Sequence, residues 1–137
     1  MVLLFMKKID NFKKSFEVLK GADYTRVDED DIYRTGVIAQ FNLTFELAVK
    51  ALQQVMRDHG VQGAESGSPR ELLQLGYKVG FIDDEKVWLA MLNKRNIAVH
   101  EYNEDEIDEI ILLIRDSFTN AFVDLSKMLD DKTEESE

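Results

Sequence analysis

An all-α fold follows from three features of the sequence: a single proline in 137 residues, few alternating Val/Ile/Thr runs, and apolar side chains recurring at steps of three and four. Proline breaks helix interiors and strict alternation marks half-buried strands. Their scarcity leaves helices to organise a chain that is 45% hydrophobic. The length suits one domain over residues 1–129, able to bury roughly 65 to 70% of the surface its unfolded chain exposes. Residues 130–137 are mostly acidic with nothing to bury, and are expected to form a disordered tail.

Ile9, Phe12, Phe16 and Leu19 give a first amphipathic helix that ends near Gly21. Asp28, Glu29, Asp30 and Asp31 then place negative charge where the dipole of a second helix begins. That helix, Ile32 to Arg57, is the longest, with Phe41, Phe45, Ala48, Leu52 and Val55 on one stripe. At 1.5 Å per residue it spans on the order of 40 Å, and His59-Gly60 supplies a basic last turn and a left-handed terminator.

After a Gly/Ser-containing connector, Ser68-Pro69-Arg70-Glu71 provides an N-cap, a first-turn proline and a capping-box glutamate for a third, shorter helix ending at Gly80. Asp83 or Asp84 caps a fourth, with Val87, Trp88, Met91 and Leu92 on its buried side. Asn103, with Glu106 at the reciprocal position, starts a fifth whose stripe runs from Ile107 through Phe118 and Phe122 to about Leu129. Short connections favour antiparallel neighbours, so the expected assembly is an antiparallel up-down bundle of four-helix type plus one shorter helix. The second and fifth stripes look long for one small core, which favours a symmetric dimer.

Composition excludes several functions. Without cysteine there are no disulfides and no thiolate metal sites. A net charge of -10 repels phosphate backbones from most of the surface, so DNA is not expected and RNA would enter only a locally basic cleft. The apolar start is interrupted by Lys7, Lys8 and Asp10, too soon for a signal-peptide core or a membrane span, and the expected location is the cytoplasm. His100-Glu101 lacks a second histidine at zinc-protease spacing, and Gly63 to Gly67 lacks the Lys-Ser or Lys-Thr of a phosphate loop. Neither a metal nor another cofactor is expected.

The chemistry concentrates in Arg95-Asn96-Ile97-Ala98-Val99-His100-Glu101-Tyr102, where the fourth and fifth helices meet. Asn96 and His100 are four apart and share a helix face, whereas Arg95 and His100 diverge by about 140° in an ideal helix. The three converge only if the helix ends or bends before His100, or if a second copy supplies the opposite wall. A histidine near a helix C-terminus suits proton transfer, and an arginine fork suits the charge that builds on a phosphate under attack. Metal-independent RNA cleavage needs those two roles, with Asn96 orienting either group. An ordinary reading competes: Arg95 and His100 favour a helix C-terminus anyway, and Tyr102 could staple onto Ile107.

Arg95-Asn96-x-x-x-His100-x-Tyr102 resembles the signature of HEPN-domain proteins, in the branch called nucleotidyltransferase substrate-binding proteins or HepT toxins. Phe41 to Lys50, Ser68-Pro69-Arg70-Glu71, Leu75-Gly76 with Gly80-Phe81-Ile82-Asp83, and Trp88-Leu89-x-Met91-Leu92 also look like that branch, so the likeness runs from about Gln40 to Ile114. The resemblance implies a HEPN-like bundle that forms a homodimer with both motifs facing one cleft, and a small nucleotidyltransferase partner acting as antitoxin. It implies ribonuclease roles for Arg95 and His100 with Asn96 in support, and adenylylation of Tyr102 by the partner. The alternative it leaves open is a non-catalytic subunit that presents substrate to the transferase. The chain is not itself the transferase, because it shows no Gly-Ser loop followed by a strand-borne Asp-x-Asp pair.

Overall fold

The computed structural model describes the backbone of residues 2–100 and 103–136 and the side chains of residues 6–96 and 103–135. Among them the helices are α1 (Val2–Lys20), α2 (Tyr24–Glu29), α3 (Asp31–Asp58), α4 (Pro69–Lys78), α5 (Glu85–His100), α6 (Glu104–Leu113) and α7 (Thr119–Ser136). A π-helical turn, Ile114–Phe118, joins α6 to α7. No strand occurs among the described residues.

Four long rods make the expected up-down bundle. α1 runs antiparallel to α3: Ser15 Oγ donates to Thr44 Oγ1 at 2.7 Å, while Thr44 Oγ1 donates to the Gln40 carbonyl and Gln40 Nε2 donates to the Ser15 carbonyl. α5 runs antiparallel to α6 and α7, with Lys94 ion-paired to Glu109 at 2.8 Å and Trp88 edge-on to Phe122 at 5.7 Å. Phe122 is the hub. Its ring also lies 5.9, 5.5 and 6.4 Å from those of Phe12, Phe16 and Phe41, so all four rods meet on one side chain.

The helix ends follow local chemistry. Ser68 and Glu71 form the predicted capping box around Pro69. Asp84, of the two candidate caps, accepts from the Val87 amide at 3.1 Å, and Asn103 accepts from the Glu106 amide at 2.9 Å. Both glycine stops are Schellman turns: Gly60 (φ 71°) with Val61 N–H donating to the Met56 carbonyl, and Gly80 (φ 83°) with Phe81 N–H donating to the Gly76 carbonyl. Gly76 is where α4 rests on α3, since a Cβ there would come within 3.0 Å of Leu52 Cδ2.

Three expectations are corrected. Asp28 and Glu29 do not open the long helix; they belong to α2, which Asp23 caps and the apolar pattern did not suggest. Asp30 alone caps α3, accepting from the Ile32 and Tyr33 amides. The fifth helix is interrupted by the π turn, where the Ile114 carbonyl accepts both the Thr119 amide and, at 2.7 Å, the Thr119 hydroxyl. The expected disordered tail is instead helical to Ser136. Its anchors are polar and were invisible to a hydrophobic pattern: Lys13 pairs with Asp130, His59 Nε2 meets the Lys132 carbonyl at 3.2 Å, and the Lys132 ammonium lies 4.6 Å above the Phe81 ring.

Candidate functional site

The polar residues that gather at the end of α5 are held by ion pairs to α3 and to α6. Arg95 reaches across to α3, where Nη2 is hydrogen-bonded to Glu46 Oε1, and its Nη1 lies 3.5 Å from Asn96 Oδ1. The Arg95 side chain is 29% exposed and Glu46 45%, while Asn96 is exposed. Arg95 Nε is buried and hydrogen-bonds to nothing. The fork is therefore half sunk, its terminal nitrogens engaged by Glu46 and Asn96 and its buried Nε a spare donor.

Flanking pairs fix the junction on which the motif lies. Arg34 of α3 bridges Glu104 Oε2 at 2.8 Å and Asp108 at the start of α6. Lys94 ties α5 to Glu109. Both sides of the α5–α6 connection are thus pinned to α3 and to each other. A groove of about 310 Å³ runs alongside, between α3 and the start of α6, with Arg34, Thr35, Asn42 and Glu104 among its walls. Asn42 stands one helical turn before Glu46, and its Oδ1 is a buried acceptor without a donor.

The α5 backbone stays α-helical through His100. The helix therefore does not end before His100, and within one helix the ideal spacing keeps Arg95 and His100 on diverging faces. The side chains of Ile97 to His100, and Glu101 and Tyr102 altogether, lie outside the described residues, and with them the expectations for His100 and Tyr102. The apolar argument for a dimer changes too. The long stripes of α3 and α7 are consumed by the chain's own core, Phe41, Phe45, Ala48, Leu52, Val55, Phe118 and Phe122 all being 1% exposed or less. The exposed large apolar side chains on α3 and α6 are Ile32, Leu43 and Leu112.

Glu46 and Asn42 were missed as site residues. Their signal is four-residue spacing: two polar groups recur at helical period next to the core pair Phe41 and Phe45, a face that must meet something other than the core. Among the described residues no group of three or more His, Cys, Asp or Glu could hold a metal. No described helix is long and apolar enough to cross a membrane.

Residues 7–131 match the family described as nucleotidyltransferase substrate binding protein like. The chain belongs to that family. A curated relative, "Probable ribonuclease HepT" of Haemophilus influenzae, is 24% identical over 88 residues, which are 63% of this chain and 60% of the relative. The aligned part thus spans under two thirds of that protein. Among solved structures, a protein of Thermus thermophilus superposes with a TM-score of 0.73 at 28% identity, over 86% of this chain and 98% of that one. A Shewanella oneidensis HEPN toxin, described as tri-AMPylated and in complex with MNT antitoxin, has a TM-score of 0.76 at 18% identity, over 93% and 96% of the two chains. A Haemophilus influenzae structure described as the substrate binding domain of a nucleotidyltransferase has a TM-score of 0.67 at 20% identity, over 95% and 99%. The last two likenesses establish the HEPN bundle as the fold.

Proposed function

We propose that this protein is a HEPN toxin-type, metal-independent endoribonuclease that works as a homodimer in the cytoplasm and is neutralised by a small nucleotidyltransferase antitoxin. The observation that carries the reading is the half-sunk Arg95 fork at the end of α5, little more than one turn of helix before His100, held by a partly exposed Glu46 carboxylate and with a buried N–H unmatched. A phosphate offers oxygens to both edges of such a fork. In the dimer, His100 of one copy faces Arg95 of the other across the cleft. The imidazole withdraws the ribose 2'-hydroxyl proton, the 2'-oxygen attacks phosphorus, and the bond to the 5'-oxygen breaks as that oxygen takes the proton from the imidazolium, leaving a 2',3'-cyclic phosphate and a 5'-hydroxyl. Arg95 neutralises the charge on the pentavalent centre, Asn96 orients the reacting groups, and Glu46 holds the fork until phosphate replaces its carboxylate. No metal or other cofactor takes part.

Tyr102 is the proposed regulatory site. Transfer of AMP from ATP to its phenol oxygen, with loss of pyrophosphate, places a bulky anion beside the cleft and excludes RNA by charge and size. The test is incubation of purified protein with RNA in excess chelator, beside Arg95→Ala and His100→Ala. Cleavage by the parent alone is expected; equal cleavage by all three, or by none, overturns it.

A second reading has its own support. The family description and the Haemophilus influenzae structure both concern substrate binding for a nucleotidyltransferase. On that reading the chain is a non-catalytic subunit that presents substrate to its partner. It predicts a stable complex with the transferase, and growth of cells expressing the protein that is indifferent to His100→Ala.

A further inference from the structure

A cleft of about 610 Å³ lies away from the Arg95 end, between the Gly80–Asp84 turn, the start of α5 and the length of α7. Its floor is apolar, made by Phe81, Val87, Leu125 and Met128 beside the edge of Trp88. Its rim carries six carboxylates against two lysines, a formal charge of -4. Asp116 is held by Arg115 at 2.8 Å, Glu135 by Lys132 at 3.3 Å, and Asp84 is spent on capping α5. Asp83, Asp124 and Asp131 make no ion pair among the described residues. Asp124 and Asp131 stand seven residues apart on α7, roughly 10 Å along its axis, too far for one small ion to meet both.

Two further features point the same way. The π turn, Ile114–Phe118, lies where α6 passes into α7 to form the wall, and Asp116 and Ser117 within it line the cleft. Such turns cost helix geometry and recur at functional sites. The cleft also shows the chemistry it accepts: the chain's own Lys132 lies with its ammonium over the Phe81 ring and beside Glu135. A cationic side chain with a long apolar stem fits both floor and rim.

We infer that this cleft is a docking surface for a basic amphipathic helix of a partner protein, with apolar side chains on the floor and Lys or Arg along the acidic rim. The wall from Asp116 to Glu135 is about 28 Å long at 1.5 Å per residue, the length of a helix of roughly 18 residues. Arg95 lies two turns further along α5 than Trp88, so a helix bound here leaves that end of the bundle uncovered. The inference stands whether or not the protein cleaves RNA.

The only tryptophan of the chain lines this cleft, which makes its emission the readout. A synthetic Leu/Lys amphipathic peptide of roughly 18 residues, matched to the wall, is titrated into the full-length protein while Trp88 fluorescence and peptide anisotropy are followed. Binding with a change in Trp88 emission is expected. Asp124→Lys with Asp131→Lys, both exposed positions, weakens it about tenfold, equivalent to roughly 1.4 kcal/mol. The same charge change at Glu17→Lys with Glu29→Lys, outside the cleft, leaves affinity within about twofold, as expected for remote screened charges. A Ser/Lys peptide of equal charge does not bind. Equal weakening by both double variants, undiminished binding of the Ser/Lys peptide, a silent Trp88, or full displacement by equimolar spermine would each overturn the inference.

Discussion

Replacing Glu46 by Gln tests whether Arg95 is held in readiness for an anion. The substitution keeps the shape of the side chain and a hydrogen-bond acceptor and removes one negative charge. Both partners are partly solvated, at 29% and 45% exposure, so solvent screens most of their attraction. Exposed pairs contribute about 0.2 to 1 kcal/mol, and this one belongs near the top of that range because the fork is half sunk. An incoming phosphate must compete with the Glu46 carboxylate for the same N–H groups. Removing that competitor is worth about 0.5 to 1 kcal/mol to RNA binding, a twofold to fivefold fall in Kd. The assay is anisotropy of a labelled RNA on Glu46→Gln, made in a His100→Ala background so that no cleavage intervenes, at low and at high salt. The gain should shrink as salt rises, because salt screens the carboxylate it removes. Unchanged or weaker binding at low salt would mean that Arg95 does not meet phosphate, and the fork would then be a brace between α3 and α5.

Phe122→Ala removes the ring on which all four rods meet and should cost about 3 to 5 kcal/mol, read as a lowered urea midpoint with an unchanged slope. Asn103→Ala removes the cap of α6 and should cost about 1 kcal/mol, a small fall in melting temperature, while Asn103→Asp should be nearly neutral. The Glu71 carboxyl is held below its usual value, chiefly by its hydrogen bond from the Ser68 backbone and then by the Ser68 side chain. Its folded form is the better acid, so its contribution is present above the ordinary carboxylate value and fades as pH falls through the depressed one. Glu71→Gln should therefore flatten stability against pH at the acid end, and an identical acid limb in both proteins would refute this.

What the sequence made legible were the features written in short-range chemistry. The capping box at Ser68 and Glu71, the Asn103 cap, the Gly60 and Gly80 stops and the stripe from Ile107 to Leu129 each depend on residues within one or two turns, and each stands where the spacing put it. What stayed hidden depends on distant partners. α2 is six residues with a single buried side chain, Val27, too little for a periodic signal; it exists because Asp23 and Asp30 satisfy its two ends. The last turns of α7 hold by contacts to α1, the end of α3 and the Phe81 turn, residues far off in sequence. In the candidate site, Arg95 was legible as a chemical residue, whereas Glu46 was not, because only the crossing of α3 and α5 makes them neighbours. The dimer argument from long stripes failed for a related reason: a stripe shows how much apolar surface a helix has, not how much its own chain will cover.

The pairing of the basic groups reconciles a net charge of -10 with the proposed RNA substrate. Arg34, Lys94 and Arg95, the described cations around the motif, each lie against carboxylates, namely Glu104 with Asp108, Glu109, and Glu46. Four carboxylates against three cations leave this end of the bundle slightly acidic at rest, with no field that would gather nucleic acid indiscriminately. A phosphate that enters must exchange with a carboxylate already in place. Ordinary nucleic-acid binding draws its strength from released counterions and loses roughly one power of salt concentration for each phosphate neutralised. Exchange against built-in carboxylates releases fewer mobile ions, so affinity should be lower and its salt slope shallower than the number of cations suggests. Selectivity on the proposed reading then falls to fit: an RNA whose shape brings a phosphate up to the Arg95 fork can displace Glu46, and a duplex that only slides along the surface meets repulsion. The acidic composition thus works with the proposed activity, restricting it to RNA that can reach the cleft.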